Sequence, residues 1–113
     1  MKIAIPVTNN IENPDLSLRF GRSPFFAIIS DNQKQQQIVE NPFYDQKKGI
    51  ANALKQLLID KYDIGMFIAY ELGLKIQEIA GKNNIQLVII NTKNKTLNEI
   101  KELLVQNQPY NLK

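Results

Sequence analysis

Apolar and polar positions along the chain fall into runs of two different periods. From Lys2 to Thr8, Ile3, Ile5 and Val7 point one way and Ala4 the other, the alternation of a strand. Pro6 has no N–H to give a ladder, so it is expected at a bulge or near the end of pairing. Asn9 to Ser23 is a long loop rich in Asn, Pro and Ser. Pro24 to Ser30 is apolar on both faces, which predicts a central strand covered on each side. A turn at Asp31-Asn32-Gln33-Lys34 leads to a third strand, Gln35 to Glu40, which is polar apart from Ile38 and Val39 and suits a sheet edge.

The period then changes. Ile50, Ala53, Leu54, Leu57 and Leu58 form one stripe of a helix predicted from Gln46 to Lys61, with Asp45 as its N-cap. Ile64 to Ala69 is short and apolar throughout, as a buried parallel strand would be. A second helix is expected within Glu71 to Ala80, ended by Gly81 in the left-handed conformation. Asn84 to Ile90 reads as another buried strand. Thr96-Leu97-Asn98-Glu99 is a capping box opening a third helix, with Leu97, Ile100, Leu103 and Leu104 inward. Right-handed crossovers place the fourth strand beside the first and the fifth outside it. The expected fold is α/β and ribonuclease-H-like: a five-stranded mixed sheet of order 3-2-1-4-5 with helices on both faces. Residues 1–105 are expected to form this single domain and 106–113 a polar C-terminal tail.

Composition narrows the chemistry. A chain of 113 residues suits one core. With no Cys and no His there is no disulfide, no thiolate- or imidazole-held metal, and no Ser-His-Asp or Cys-His catalysis. The net charge is +3, and 12 of the 14 basic residues are Lys scattered along the chain, the pattern of a solvated surface rather than a nucleic-acid footprint. No apolar run approaches the roughly 20 residues of a membrane span. Pro6 and Asn9-Asn10 cut short any signal-like core, so a cytoplasmic location is expected.

In open α/β sheets, sites form at the carboxyl ends of strands where the strand order reverses, here between strands one and four. Thr8, Asn9 and Asn10 should meet Tyr70-Glu71-Leu72-Gly73 there, together with Arg19-Phe20-Gly21-Arg22-Ser23 at the end of the long loop. The chain has only two arginines, and both lie in that loop. An Arg fork suits bidentate anion contacts or the bridging of backbone carbonyls. Gly21 allows an unusual backbone conformation or close approach. One reading is an anion or cofactor cradle. The other is a structural clamp, with Arg22 tying the loop to the sheet and Phe20 as its apolar plug. Glu71 is the best acidic candidate, but strand one carries no acid, as a two-metal nuclease would need. Phosphate-loop and dinucleotide fingerprints are absent.

Several segments together carry a family resemblance: Met1-Lys2-Ile3-Ala4-Ile5-Pro6-Val7, Leu18-Arg19-Phe20-Gly21-Arg22-Ser23-Pro24-Phe25-Phe26, Glu40-Asn41-Pro42 and Gly49-Ile50-Ala51. Over about residues 1–105 the chain resembles the dinitrogenase iron–molybdenum cofactor biosynthesis family, the NifX/NafY and NifB C-terminal-like domain, which also occurs as stand-alone proteins. The resemblance implies a ribonuclease-H-like fold and a role in binding the iron–molybdenum cofactor or its precursor. Many members have His directly before Phe-Gly-Arg, a residue thought to help hold the cluster; this chain has Arg19 there. It keeps the frame without the usual ligands, so direct metal ligation is not expected.

The expected function is therefore a small non-enzymatic binding or accessory protein. Its candidate ligand-binding residues are Thr8, Asn9, Asn10, Arg19, Gly21, Arg22, Ser23 and Glu71. The ligand is an anionic small molecule or a metal cofactor, an iron–molybdenum or iron–sulfur group by family resemblance. Two alternatives stay open. One is a divergent divalent-metal-dependent phosphoesterase using Glu71 and loop acids. The other is an interaction module in which the third strand or the tail meets a protein partner or a second copy. Neither nucleic acid nor membrane is an expected partner.

Overall fold

The alternating segment Lys2–Val7 takes the middle of the sheet. In the computed structural model, which describes residues 1–107, β1 (Lys2–Val7) pairs antiparallel with β2 (Phe25–Ser30) and parallel with β4 (Ile64–Ala69). β3 (Gln36–Glu40) pairs antiparallel with β2, and β5 (Gln86–Ile89) parallel with β4. The order is β3-β2-β1-β4-β5, as the sequence predicts, with the polar third strand at an edge. Pro6 stands opposite Phe26 on β2. Its carbonyl accepts from the Ser17 N–H at 2.9 Å. The nitrogen of a strand residue faces the same edge as its carbonyl, and on that edge the β1–β4 register ends at Ala4 and Phe67. The missing N–H therefore leaves no gap in the ladder.

Each face of the sheet buries its own layer. Ile3, Ile5, Val7, Ala27, Ile29, Met66 and Ile68 pack against Leu97, Ile100 and Leu104 of α3 (Leu97–Asn107) and against Leu16 of the long loop. On the other face, Ala4, Phe26, Ile28 and Phe67 meet the first two helices and Phe20. Burying one such Leu, Ile or Phe side chain contributes about 1.5–3 kcal/mol.

The helices depart from the sequence reading at their ends. The first does not begin at Gln46, and Asp45 is not its cap. It starts as α1 (Ile50–Leu54) after Gly49, which sits at φ 70, and continues as a π-helical stretch over Lys55–Lys61. Residues 41–46 instead turn on themselves: the Tyr44 N–H donates to Asn41 O at 3.4 Å and the Gln46 N–H to Phe43 O at 2.9 Å. Ala51, Leu54 and Leu58 are its buried residues, while Ala53 is only half-buried.

α2 (Leu74–Lys82) begins three residues later than the earliest position expected, because Glu71 is held in a bridge to Arg19. Gly81 lies within that helix; the left-handed residue is Asn84 at φ 58, a side chain that tolerates this region. β5 is an edge strand with a half-exposed pattern rather than a buried one.

The capping box of α3 forms as predicted. The Thr96 N–H donates to Glu99 Oε1 at 2.9 Å and the Glu99 N–H to Thr96 Oγ1 at 3.3 Å. That backbone donor, helped by the charge of Lys95, holds the Glu99 carboxyl below its ordinary range. α3 runs on through Gln106 and Asn107, where the tail was expected to start; residues 108–113 of the tail lie outside the described residues.

Candidate functional site

The long loop is stitched down in two halves. In the first, Val7 bridges Leu16 and Asp15 bridges Thr96, and the Thr8 N–H donates to Asp15 O at 3.0 Å. This half belongs to the α3 side of the sheet. In the second, Arg19 bridges Glu71 in parallel: the Phe20 N–H donates to Glu71 O at 3.2 Å and the Glu71 N–H to Leu18 O at 3.1 Å. The chain beyond β4 thereby gains a short partner strand.

Phe20 fixes that second half by packing. It is 1% exposed, with ring centroids 5.0 Å from Phe26 and 4.7 Å from Phe67. Buried polar groups complete the anchor. Ser23 Oγ lies 3.0 Å from Val7 O and 2.6 Å from Phe25 O, carbonyls to which its single proton can be given. Asn41, 2% exposed, donates from Nδ2 to Ser23 O at 2.8 Å and to Gly21 O at 3.3 Å. Its Oδ1 accepts from the Phe43 N–H at 3.1 Å.

Between this loop and the first two helices lies a cleft of about 510 Å³. Arg19, Phe20, Gly21 and Arg22 line one side, Glu71, Leu72 and Gly73 another, and Ile50 of α1 and Ile76 of α2 close it. The cleft thus sits at the carboxyl end of β4, the strand-order reversal where the sequence places a site. A Cβ on Gly21 would come within 3.0 Å of Ile76 Cδ1, so glycine here serves a close helix approach.

The eight expected residues separate into three groups. Arg19, Gly21, Arg22 and Glu71 meet at the cleft. Thr8, Asn9 and Asn10 do not line it; their turn is drawn toward Asp15. Ser23 is fully buried beneath the loop and acts as an anchor. Sequence reasoning brought Leu72 to the site within its segment but missed the apolar walls from the helices, Ile50 and Ile76, and the role of Asn41. The Asn-Pro pair directly after β3 was the available signal for Asn41, but a buried amide looks no different from a turn asparagine in sequence.

The two arginines also part company. Arg22 donates from Nη1 to the carbonyls of Tyr44 (3.3 Å) and Gln46, which makes it the clamp between the loop and the segment before α1. Arg19 is exposed, and its guanidinium makes no hydrogen bond or ion pair among the described residues. At the far rim, α2 starts at Gly73 with no side-chain cap and no acid in its first turn. The first N–H groups of a helix have no partner within it and carry partial positive charge. The cleft can therefore offer a planar cation and backbone donors over an apolar floor, opposed by the Glu71 carboxylate. Among the described residues, no three or more Asp, Glu, His or Cys side chains come together as a metal would need.

Solved structures share this architecture. The apo form of the orange protein from Desulfovibrio gigas is 18% identical, with TM-score 0.83 over 95% of this chain and 88% of its own. A Thermotoga protein, TM1290, named for NifB and placed in the DUF35 family, is 18% identical, with TM-score 0.77 over 93% of this chain and 87% of its own. At these identities the likeness speaks to the fold. The crystal structure of PH0822 is 25% identical, with TM-score 0.63 over 79% of this chain and 76% of its own. No curated protein matches the chain. A family model described as dinitrogenase iron-molybdenum cofactor matches residues 1–107.

Proposed function

The chain belongs to the dinitrogenase iron–molybdenum cofactor family, and on that premise we propose that it is a non-enzymatic carrier or accessory protein holding an anionic cargo in the Arg19 cleft. The observation that carries this reading is the unequal use of the two arginines. Arg22 is satisfied by backbone carbonyls, whereas Arg19 lines the cleft with its guanidinium unpartnered among the described residues. A planar donor fork facing an apolar floor suits an anion that is large and hydrogen-bonding.

The donor set limits how a metal cluster could be held. With neither Cys nor His in the chain, iron or molybdenum gains no thiolate or imidazole ligand. A cluster would be gripped through its outer oxygen or sulfur atoms by Arg19 and by backbone N–H groups. The cargo this reading names is thus an iron–molybdenum or iron–sulfur cofactor, or a molybdate-like oxyanion, carried in the cytoplasm. No helix among the described residues is long and apolar enough to cross a membrane. A phosphoesterase reading finds no support at Glu71: among the described residues no three or more Asp, Glu, His or Cys side chains come together to hold metals.

Anaerobic titration of the full chain with isolated iron–molybdenum cofactor, and separately with molybdate, tests the proposal. Micromolar binding by the wild type, weakened about tenfold or more by Arg19→Ala, is the expected result. Absence of binding to either probe sinks it.

A further inference from the structure

A second concavity lies between the starts of the first two helices. It has a volume of about 890 Å³ and meets the Arg19 cleft at Ile50, Gly73 and Ile76. Its apolar lining includes Ala51 and Ile79, and at its rim Leu74 is 78% exposed, the most exposed large apolar side chain among the described residues. Four lysines, Lys47, Lys48, Lys75 and Lys82, border it against one acid, Glu78. Among the described residues none of these four ammonium groups is in an ion pair.

One of these charges is placed against local preference. Lys75 sits in the first turn of α2, where a cation opposes the helix dipole and an acid would be favoured. A groove that combines an uncovered leucine with unpaired lysines matches a partner of the opposite kind, apolar in the middle and acidic at the edges. A second copy of this chain, itself net positive, would bring like charges together. A nucleic acid would place phosphates over the apolar floor and beside Glu78, and the groove contains no arginine for them.

We propose that this groove docks a short acidic amphipathic helix of another protein, seated beside the mouth of the cleft. The nine residues of α2 make a wall about 14 Å long, enough for about two and a half turns of a helix laid along it. The partner's apolar stripe covers Leu74 and Ile79, and its flanking carboxylates meet Lys47, Lys48, Lys75 and Lys82. Such a partner would be placed to receive or deliver whatever the cleft holds, but the docking itself does not depend on the cleft having a ligand.

The test uses three blocked peptides of about twelve residues: one with Leu at helical spacing among Glu, one with those Leu replaced by Ser, and one with the Glu replaced by Gln. Each is titrated into the nitrogen-15-labelled full chain and followed by NMR. The Glu/Leu peptide should bind about tenfold tighter than either control and shift the amides of Gly49, Ala51, Gly73, Leu74 and Lys75. Lys48→Glu with Lys75→Glu should remove that binding, while Lys2→Glu with Lys34→Glu, the same charge change elsewhere, should leave most of it. Arg19→Ala should not affect it, which separates failure here from failure of the cleft reading. The proposal is overturned by equal binding of the three peptides, by shifts elsewhere on the surface, by tighter binding of an oligouridylate at these amides, or by sedimentation showing a dimer abolished by Leu74→Asp.

Discussion

Truncating Phe20 to alanine removes the ring that pins the arginine loop. The ring is almost wholly buried and sits 5.0 Å and 4.7 Å, centroid to centroid, from Phe26 and Phe67. Transfer of a buried Phe side chain is worth about 1.5–3 kcal/mol. Each lost ring pair adds about 0.5–1.5 kcal/mol beyond area. The surrounding β-sheet cannot close the gap, so a cavity cost remains. Together these place Phe20→Ala at about 3–5 kcal/mol, against a total stability of about 5–15 kcal/mol for a domain of this kind. Urea unfolding followed by far-ultraviolet circular dichroism reads the loss as a lower midpoint at unchanged slope. A loss below about 1 kcal/mol would refute the reasoning. It would mean that the loop is held by its polar contacts alone and that the cleft wall is not built on the core.

Other consequences are open to equally direct measurement. Asn41→Ala leaves the carbonyls of Gly21 and Ser23 and the Phe43 N–H without their partner, and should cost about 2–4 kcal/mol in the same unfolding assay. Thr96→Ala should remove about 1 kcal/mol. The Glu99 carboxyl is depressed in the folded chain, so its contribution is complete above the ordinary carboxylate range and is lost as pH falls through the folded value. A pH series should therefore show the wild type and Glu99→Ala converging in stability on acidification, with the gap intact at neutral pH. Glu71→Gln removes the one carboxylate lining the Arg19 cleft, and should tighten molybdate or cofactor binding about two- to tenfold; weaker binding would assign Glu71 a positive role in holding the ligand.

The sheet was readable because each strand carried its own evidence. Two-sided apolarity in Phe25–Ile29 and Ile64–Ala69 marked central strands, and the polar Gln35–Gln37 marked an edge. Helix starts were less legible, since they depend on what the preceding residues do in three dimensions. Residues 46–49 look helical until Arg22 and Asn41 engage the turns before them. Residues 71–73 look helical until Glu71 joins Arg19. The location of the cleft followed from strand order. The separation of Arg19 from Arg22, and of Ser23 from the cleft, did not, because two arginines flanking Phe-Gly look alike until one finds backbone carbonyls 22 and 24 residues away. Of the two readings of the loop, the clamp describes Arg22; the anion or cofactor cradle remains the proposal made for Arg19.

The central claim is that Arg19, and not Arg22, is the ligand-facing cation of this fold. Nitrogen-15 NMR of the arginine Nε–H groups during anaerobic addition of molybdate or of iron–molybdenum cofactor tests it most directly. The account predicts a saturable shift or broadening of the Arg19 signal together with the Gly73 and Leu74 amides, while the Arg22 signal holds its place. A response confined to Arg22, or to the turn at Thr8, Asn9 and Asn10, would contradict it.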